Sequence, residues 1–381
     1  RHHNYKVLNQ DTWHWTCNGK IFYNKIDSIV ESLSSEHPIH YHAPTIYNAD
    51  SLSIEPAQSW HDILRDRALQ LRDQHKHINL WFSGGCDSTR MLHAFIDNDV
   101  FIDEITLFKS GIDSADYEID YALKYLAKHK SKLVNTRINE YTLTLKDYEE
   151  FYSDPQWHTK VTTSNPITFR NLTFIHLLGG RHGLDEGKTN IWGHQKPELT
   201  YVNNKWYAYF LDANNDKSDT APLEHSVWFF TENTTVHAKQ CHMLKRHIEA
   251  TYKKEQYNTP SKMYQIHQKD INYGSGRLDA YIEYFIPKAV NSGTNIQHND
   301  STYHSASAKE HAAVQTMLTV DVKLMQKYKA GCDEILSKIG HKWLNKGRPE
   351  FGSIGVHSKF YCLDAPEIKT VDDLFPNGYF G

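Results

Sequence analysis

The chain has 381 residues, and 42 Lys and Arg against 46 Asp and Glu leave a formal charge of −4. Aromatics at 13% and hydrophobics at 39% exclude a low-complexity polymer, and the length suffices for two or three packed domains. The charge excludes a strongly basic nucleic-acid coat, and five scattered Cys with no CxxC pair argue against a disulfide framework or zinc knuckle and for a reducing compartment. The longest apolar runs are only a few residues, far below the roughly 20 residues of a membrane helix, and no apolar h-region follows the N-terminus. The expectation is a soluble, cytoplasmic protein with no membrane partner.

Residues 1–58 read as a mixed segment with short alternating stretches such as Lys20-Ile21-Phe22-Tyr23. His40 and His42 share one face of any strand there. In a chain with 25 His, chance accounts for that spacing better than a metal does. From Ser59 the period turns helical, with Ile63, Leu64, Ala68, Leu69 and Leu71 recurring and Ser59 the expected N-cap. The apolar run 78–82 predicts a buried strand, followed by Ser83-Gly84-Gly85-Cys86-Asp87-Ser88 and a helix bearing Met91, Leu92, Phe95 and Ile96. A second strand is predicted over 104–108, a helix over 114–128, a third strand over 133–138, a helix over 169–178 and a fourth strand over 189–193. This rhythm predicts βαβ units and a doubly wound parallel sheet, an α/β domain spanning 59–200. Beyond it, 205–210 alternates like an antiparallel strand, and helices are predicted over 237–252, 278–284 and 308–337. Residues 201–381 are therefore expected to form a mainly helical region that shapes an acceptor pocket.

The segment 83–88 carries the chemistry. Paired glycines between a strand and a helix let the backbone turn tightly and approach a ligand without Cβ clashes. The amides that follow lie at the positive end of the helix dipole, which suits an anion. Ser83 and Ser88 add hydroxyl donors, and Asp87 is a candidate Mg²⁺ ligand against phosphate oxygens.

With its preceding apolar strand and the following Thr89, this hexapeptide resembles the SGGxDS signature of the PP-loop, or N-type, ATP pyrophosphatases. The resemblance implies an adenine nucleotide alpha-hydrolase-like (HUP-type) fold, with ATP and Mg²⁺ as cofactors. It also implies adenylation of an acceptor oxygen with release of pyrophosphate, then displacement of AMP by a nucleophile. Within that family the chain looks most like the synthetase domain of asparagine synthetases. The second strand, ending at Phe108-Lys109, lies where that family contacts adenosine, and 116–122 resembles the acidic start of its next helix. Trp192-Gly193-His194-Gln195-Lys196-Pro197-Glu198-Leu199 lies where the family has a Gly-rich turn ending in Asp-Glu-Leu. The resemblance thus assigns Ser83, Gly84, Gly85, Cys86, Asp87, Ser88, Phe108, Lys109 and Gly193 to the nucleotide. It gives catalytic roles to Asp87, Lys196 and Glu198, with Lys196 neutralising the leaving pyrophosphate.

Two departures shape the expectation. Pro197 replaces the family Asp, and no N-terminal Cys marks a glutaminase half, so the nitrogen nucleophile is ammonia or an amine. The acceptor is read as a small molecule. The alternatives are an RNA acceptor, for a nucleoside- or tRNA-modifying relative, and a nucleotide-binding protein without turnover. The segment 183–189 imitates a Walker A loop but has His182 in place of its first Gly and precedes a strand, so it reads as a turn.

Overall fold

A computed structural model of the chain describes residues 11–23, 25–109, 113–142, 144–154, 187–193, 197–210, 226–251, 253–254 and 357–375, with isolated positions between 323 and 337. At the N-terminus, β1 (His14–Cys17) pairs antiparallel with β2 (Lys20–Phe22) and β3 (His40–His42), and α1 (Lys25–Ser35) lies between β2 and β3. Alternation turns Trp15 and Tyr41 into the core. On the opposite face the His14 and His42 rings stack at 4.9 Å. Burial and the charge of His14 push His42 down to about 4, so its ring packs as a neutral group. Among the described residues no group of three or more His, Cys, Asp or Glu forms a metal cluster.

Helix α2 (Trp60–Gln74) starts where Ser59 predicts: the Ser59 hydroxyl accepts from the Asp62 amide at 3.1 Å. Ile63, Leu64, Ala68 and Leu71 are buried, whereas Leu69 is 48% exposed. Then follow β4 (Ile78–Trp81), α3 (Cys86–Ile96), β5 (Glu104–Lys109), α4 (Asp113–Lys128), β6 (Arg137–Thr142), α5 (Leu145–Ser153) and β7 (Thr189–Trp192). After β8 (Glu198–Val202) and β9 (Lys205–Tyr209) come β10 (Ser226–Trp228), α6 (Thr234–Thr251), β11 (Phe360–Cys362), β12 (Ile368–Lys369) and α7 (Val371–Leu374).

The predicted parallel sheet is present. It has five strands in the order β10-β7-β4-β5-β6, every pairing parallel. From β4 the chain fills one side with β5 and β6, then returns to the other side of β4 with β7 and β10. Its boundaries differ from expectation in two places. The third strand begins at Arg137 rather than 133, because Leu133 is buried from a turn that includes the left-handed Asn135 (φ 66°). The fifth strand, β10, lies beyond residue 200.

Residues past 200 also carry strands beside the expected helix α6. β8, β9, β11 and β12 form an antiparallel sheet in the order β12-β11-β9-β8. The described positions between 323 and 337 are helical, and the helices predicted over 169–178 and 278–284 lie outside the described residues. One apolar cluster runs through all three sheets, from Trp15 through Leu80, Ile105 and Ile191 to Leu199 and Tyr361. No described helix is long and apolar enough to cross a membrane.

The parallel sheet has unlike faces. Leu80, Ile105, Leu107 and Ile191 enter the apolar cluster with α2 and α3. Asn79, Trp81, Glu104, Thr106, Asn139 and Asn190 occupy the other face and are buried too. At the amino ends of the strands, Glu104 meets Lys188 Nζ at 3.1 Å and accepts from Asn139 Nδ2 at 2.8 Å. Burial pushes the Glu104 carboxyl up, but Lys188, Asn139 and Arg137 outweigh it and hold its pKa below the usual value. A depressed carboxylate stabilises the fold above its unfolded pKa of about 4.3, and that contribution is lost as pH falls through the lower folded value. Glu104→Gln should therefore cost roughly 1–3 kcal/mol at pH 7. Urea midpoints should show the gap to the wild type closing below about pH 4, where the glutamate is itself neutral. A gap independent of pH would refute the assigned ion pair.

Candidate functional site

Residues 83–88 leave β4 and enter α3 between β5 and β7, where the strand order reverses. In open α/β sheets that carboxyl-edge crevice is the general ligand site. Local geometry follows from the residue types. Gly84 is left-handed at φ 74°, a conformation that side chains with a Cβ rarely adopt. Gly85 is the N-cap of α3 and contributes no side-chain cap, and its amide donates to Ser83 Oγ at 3.3 Å. The loop is braced from within. Ser88 Oγ accepts from the Ser83 amide at 3.3 Å, lies 3.1 Å from Ser83 Oγ and donates to the Gly85 carbonyl at 3.2 Å. Thr89 Oγ1 donates to the Gly84 carbonyl at 3.2 Å. Ser83 is exposed and Asp87 half-buried, whereas Ser88 is buried.

The structure brings Gly193 to this loop. A Cβ at residue 193 would lie 2.9 Å from both Ser88 Cα and Ser88 N, and 3.0 Å from the Asp87 carbonyl carbon. Gly193 thus lets the end of β7 close against the first turn of α3. Phe108 and Lys109 end β5 at the same edge of the sheet. Phe108 stands in register with Tyr141, while Lys109 is held by Glu140 at 2.8 Å and Asp120 at 3.2 Å. The acidic segment 116–122 lies in α4. Glu198 is buried as the first residue of β8, opposite Tyr209, and Lys196 lies outside the described residues. Of the Walker-like segment 183–189, residues 187–189 are described: Lys188 meets Glu104 at the opposite edge of the sheet and Thr189 opens β7.

The donor set fits ATP with Mg²⁺. A glycine cradle and a helix N-terminus without a side-chain cap suit a polyphosphate, and one carboxylate in the first turn matches the way Mg²⁺ is held mainly by phosphates and water. Three described thiols, Cys17, Cys241 and Cys362, are buried, and burial alone pushes Cys241 up, away from the reactive thiolate. A cavity of about 240 Å³ elsewhere lies between α2 and the start of α6. Its buried Arg67 donates to the Phe229 carbonyl at 3.0 Å and to Gln70 at 2.8 Å, which makes it a clamp between α2 and the end of β10.

Sequence reasoning passed over one group at this edge. Trp81, Trp192 and Trp228 are the last residues of β4, β7 and β10. The signal was available as a recurring tripeptide: Asn79-Leu80-Trp81, Asn190-Ile191-Trp192 and Ser226-Val227-Trp228.

No protein-family model matches the chain, and no curated protein matches it. The site is therefore read from its own chemistry, and Gly193 gives its first test. Gly193→Ala should destabilise the protein by roughly 1–3 kcal/mol, because its methyl group meets backbone that cannot turn away. Amide resonances of residues 83–88 should shift with it. Gly187→Ala, where the added Cβ meets nothing within 4 Å, should leave those resonances in place. Unchanged loop resonances in Gly193→Ala would contradict the contact.

Proposed function

We propose that the chain is a cytoplasmic, ATP-dependent ligase of the PP-loop type that forms AMP and pyrophosphate. The adenine nucleotide alpha-hydrolase fold is part of this reading. The observation that carries it is the SGGCDS loop at the strand-order reversal, with a left-handed Gly84 and the uncapped N-terminus of α3 beside the Asp87 carboxylate.

In this reading the backbone at Gly84, Gly85 and Cys86 and the hydroxyls of Ser83 and Ser88 bind the triphosphate. Phe108 and Lys109 border the adenosine, and Asp87 holds Mg²⁺. The metal, when bound, neutralises charge on the phosphate oxygens. A carboxylate or carbonyl oxygen of a small acceptor attacks the α-phosphorus. The new O–P bond forms as the bond from the α-phosphorus to the bridging oxygen breaks, and pyrophosphate leaves with the electron pair. Lys196 is assigned to neutralise the leaving pyrophosphate, and Glu198 to act with it. Ammonia or an amine then attacks the activated carbon and releases AMP, and the proton lost from nitrogen passes to solvent. The chain's contribution is positioning and fixed charge rather than covalent catalysis.

Asp87→Ala should lower Mg²⁺-dependent pyrophosphate release, assayed with candidate acids and ammonia, by about 100-fold or more. A thermal melt should show the variant still folded, so that the lost turnover reads on the site. Unchanged turnover would remove the loop from the reaction.

A further inference from the structure

The cavity between α2 and the start of α6 holds a buried charge that the fold does not neutralise. Arg67 lines it and is 4% exposed. A guanidinium carries five N–H donors. Nε donates to the Phe229 carbonyl at 3.0 Å, Nη1 to Gln70 Oε1 at 2.8 Å and Nη2 to the Trp228 carbonyl at 3.4 Å. These bonds make the clamp, and they leave one N–H on each Nη. All three acceptors are neutral. Among the described residues no Asp or Glu forms an ion pair with Arg67, and the acidic side chain whose charge it feels, Glu232, accepts from the Trp228 amide at 3.1 Å. Burial pushes the Arg67 pKa down to about 10, so the group is charged at neutral pH. A buried charge without a counter-charge is costly, and here it borders a cavity of about 240 Å³, far more room than one water needs.

The rest of the wall supplies donors. Helix α6 starts at this cavity and is 18 residues long. Asn233 Oδ1 accepts from the Val236 amide at 3.0 Å, and Asn233 Nδ2 donates to Gln70 Oε1 at 3.1 Å. With Oε1 taken by both Arg67 and Asn233, Gln70 has its Nε2 donor left. Thr235 is exposed in the first turn of α6, at the positive end of the helix dipole. One carboxylate, Asp66, lines the cavity. Its charge is met by Arg65, at 3.1 Å from Nε and 2.9 Å from Nη2, and it accepts from Gln58 Nε2 at 2.9 Å.

We propose that this cavity is a binding site for a compact oxyanion, the carboxylate or phosphate group of a small molecule, held by the remaining Nη donors of Arg67. A planar guanidinium fork matches two oxygens of either group. The ligand supplies the counter-charge that the fold lacks, and the start of α6 adds a favourable dipole. The site is separate from the 83–88 loop and goes beyond the ligase reading without depending on it.

The test titrates the full ¹⁵N-labelled chain with inorganic phosphate and with acetate, each against chloride at matched ionic strength. The Arg67 Nε–H resonance and the amides of Thr234 and Thr235 should move and saturate. A response to phosphate alone identifies a phosphoryl ligand and a response to acetate a carboxylate; either supports the site. Thr235→Glu changes an exposed position where a helix start tolerates an acid. It brings a like charge to the cavity and should weaken binding about tenfold, whereas Thr235→Gln should bind as the wild type does. Arg67→Met should abolish the response; if a thermal melt shows that variant unfolded, the Thr235 pair decides. Failure of both anions to move these resonances overturns the site, as does unchanged binding by Thr235→Glu. Shifts confined to residues 83–88 overturn it too, because they place the anion on the loop. Mg-ATP binding at that loop, followed through the same resonances, decides the ligase reading separately.

Discussion

β4 is hydrogen-bonded on both sides, to β5 and to β7, and that pairing governs the chain that leaves it. The Phe82 amide still bonds the Thr106 carbonyl at 2.9 Å, so the backbone stays in the sheet one residue past the strand. It must then reverse into α3 within a few residues, in a crevice whose other wall is the end of β7. Two glycines distant in sequence meet that constraint. Gly84 supplies the left-handed turn, and Gly193 removes the Cβ that would strike Ser88. The start of α3 carries no side-chain cap, because Gly85 stands at the N-cap.

The second face of the sheet follows a different rule from the first. Parallel strands buried on both faces usually read as continuous aliphatic runs. Here the interior carries Asn79, Thr106 and Asn190 at an appreciable desolvation cost, offset by the hydrogen bonds that join them across three strands. A chain of polar groups in which one amide oxygen serves two donors holds its members in one geometry. That geometry orients Trp81 and, by stacking, Trp192. The rigid phosphate loop and the ordered aromatic row meet at Gly193.

The sequence made the central elements legible because local chemistry and tertiary context agree there. Ser59 caps α2, the largely apolar run at 78–82 between two helical patterns reads as a buried strand, and Gly84-Gly85 marks the turn. It misled where burial does not track regular structure. Leu133 is a core residue in a turn, so its apolar character shifted the expected strand toward the N-terminus. β10 was invisible because three residues are too short for periodicity, and it declares itself only by register with β7. Position in the sequence places Lys109 at the end of β5 but does not tell that Glu140 and Asp120 engage its ammonium there. The surplus of His acquires a partial account. His237 is wholly buried, with burial pushing it down to about 3, and packs on Tyr47 and Phe210. His242 lies 2.9 Å from the Leu52 carbonyl. Rings of this kind act as aromatic packing, which composition alone cannot separate from ligation.

The most direct measurement is a crystal structure of the protein soaked with ATP and Mg²⁺. The account predicts the triphosphate on the amides that follow Gly84, with Mg²⁺ held at Asp87. A nucleotide bound away from the 83–88 loop, or a loop that admits no phosphate at millimolar Mg-ATP, would contradict it.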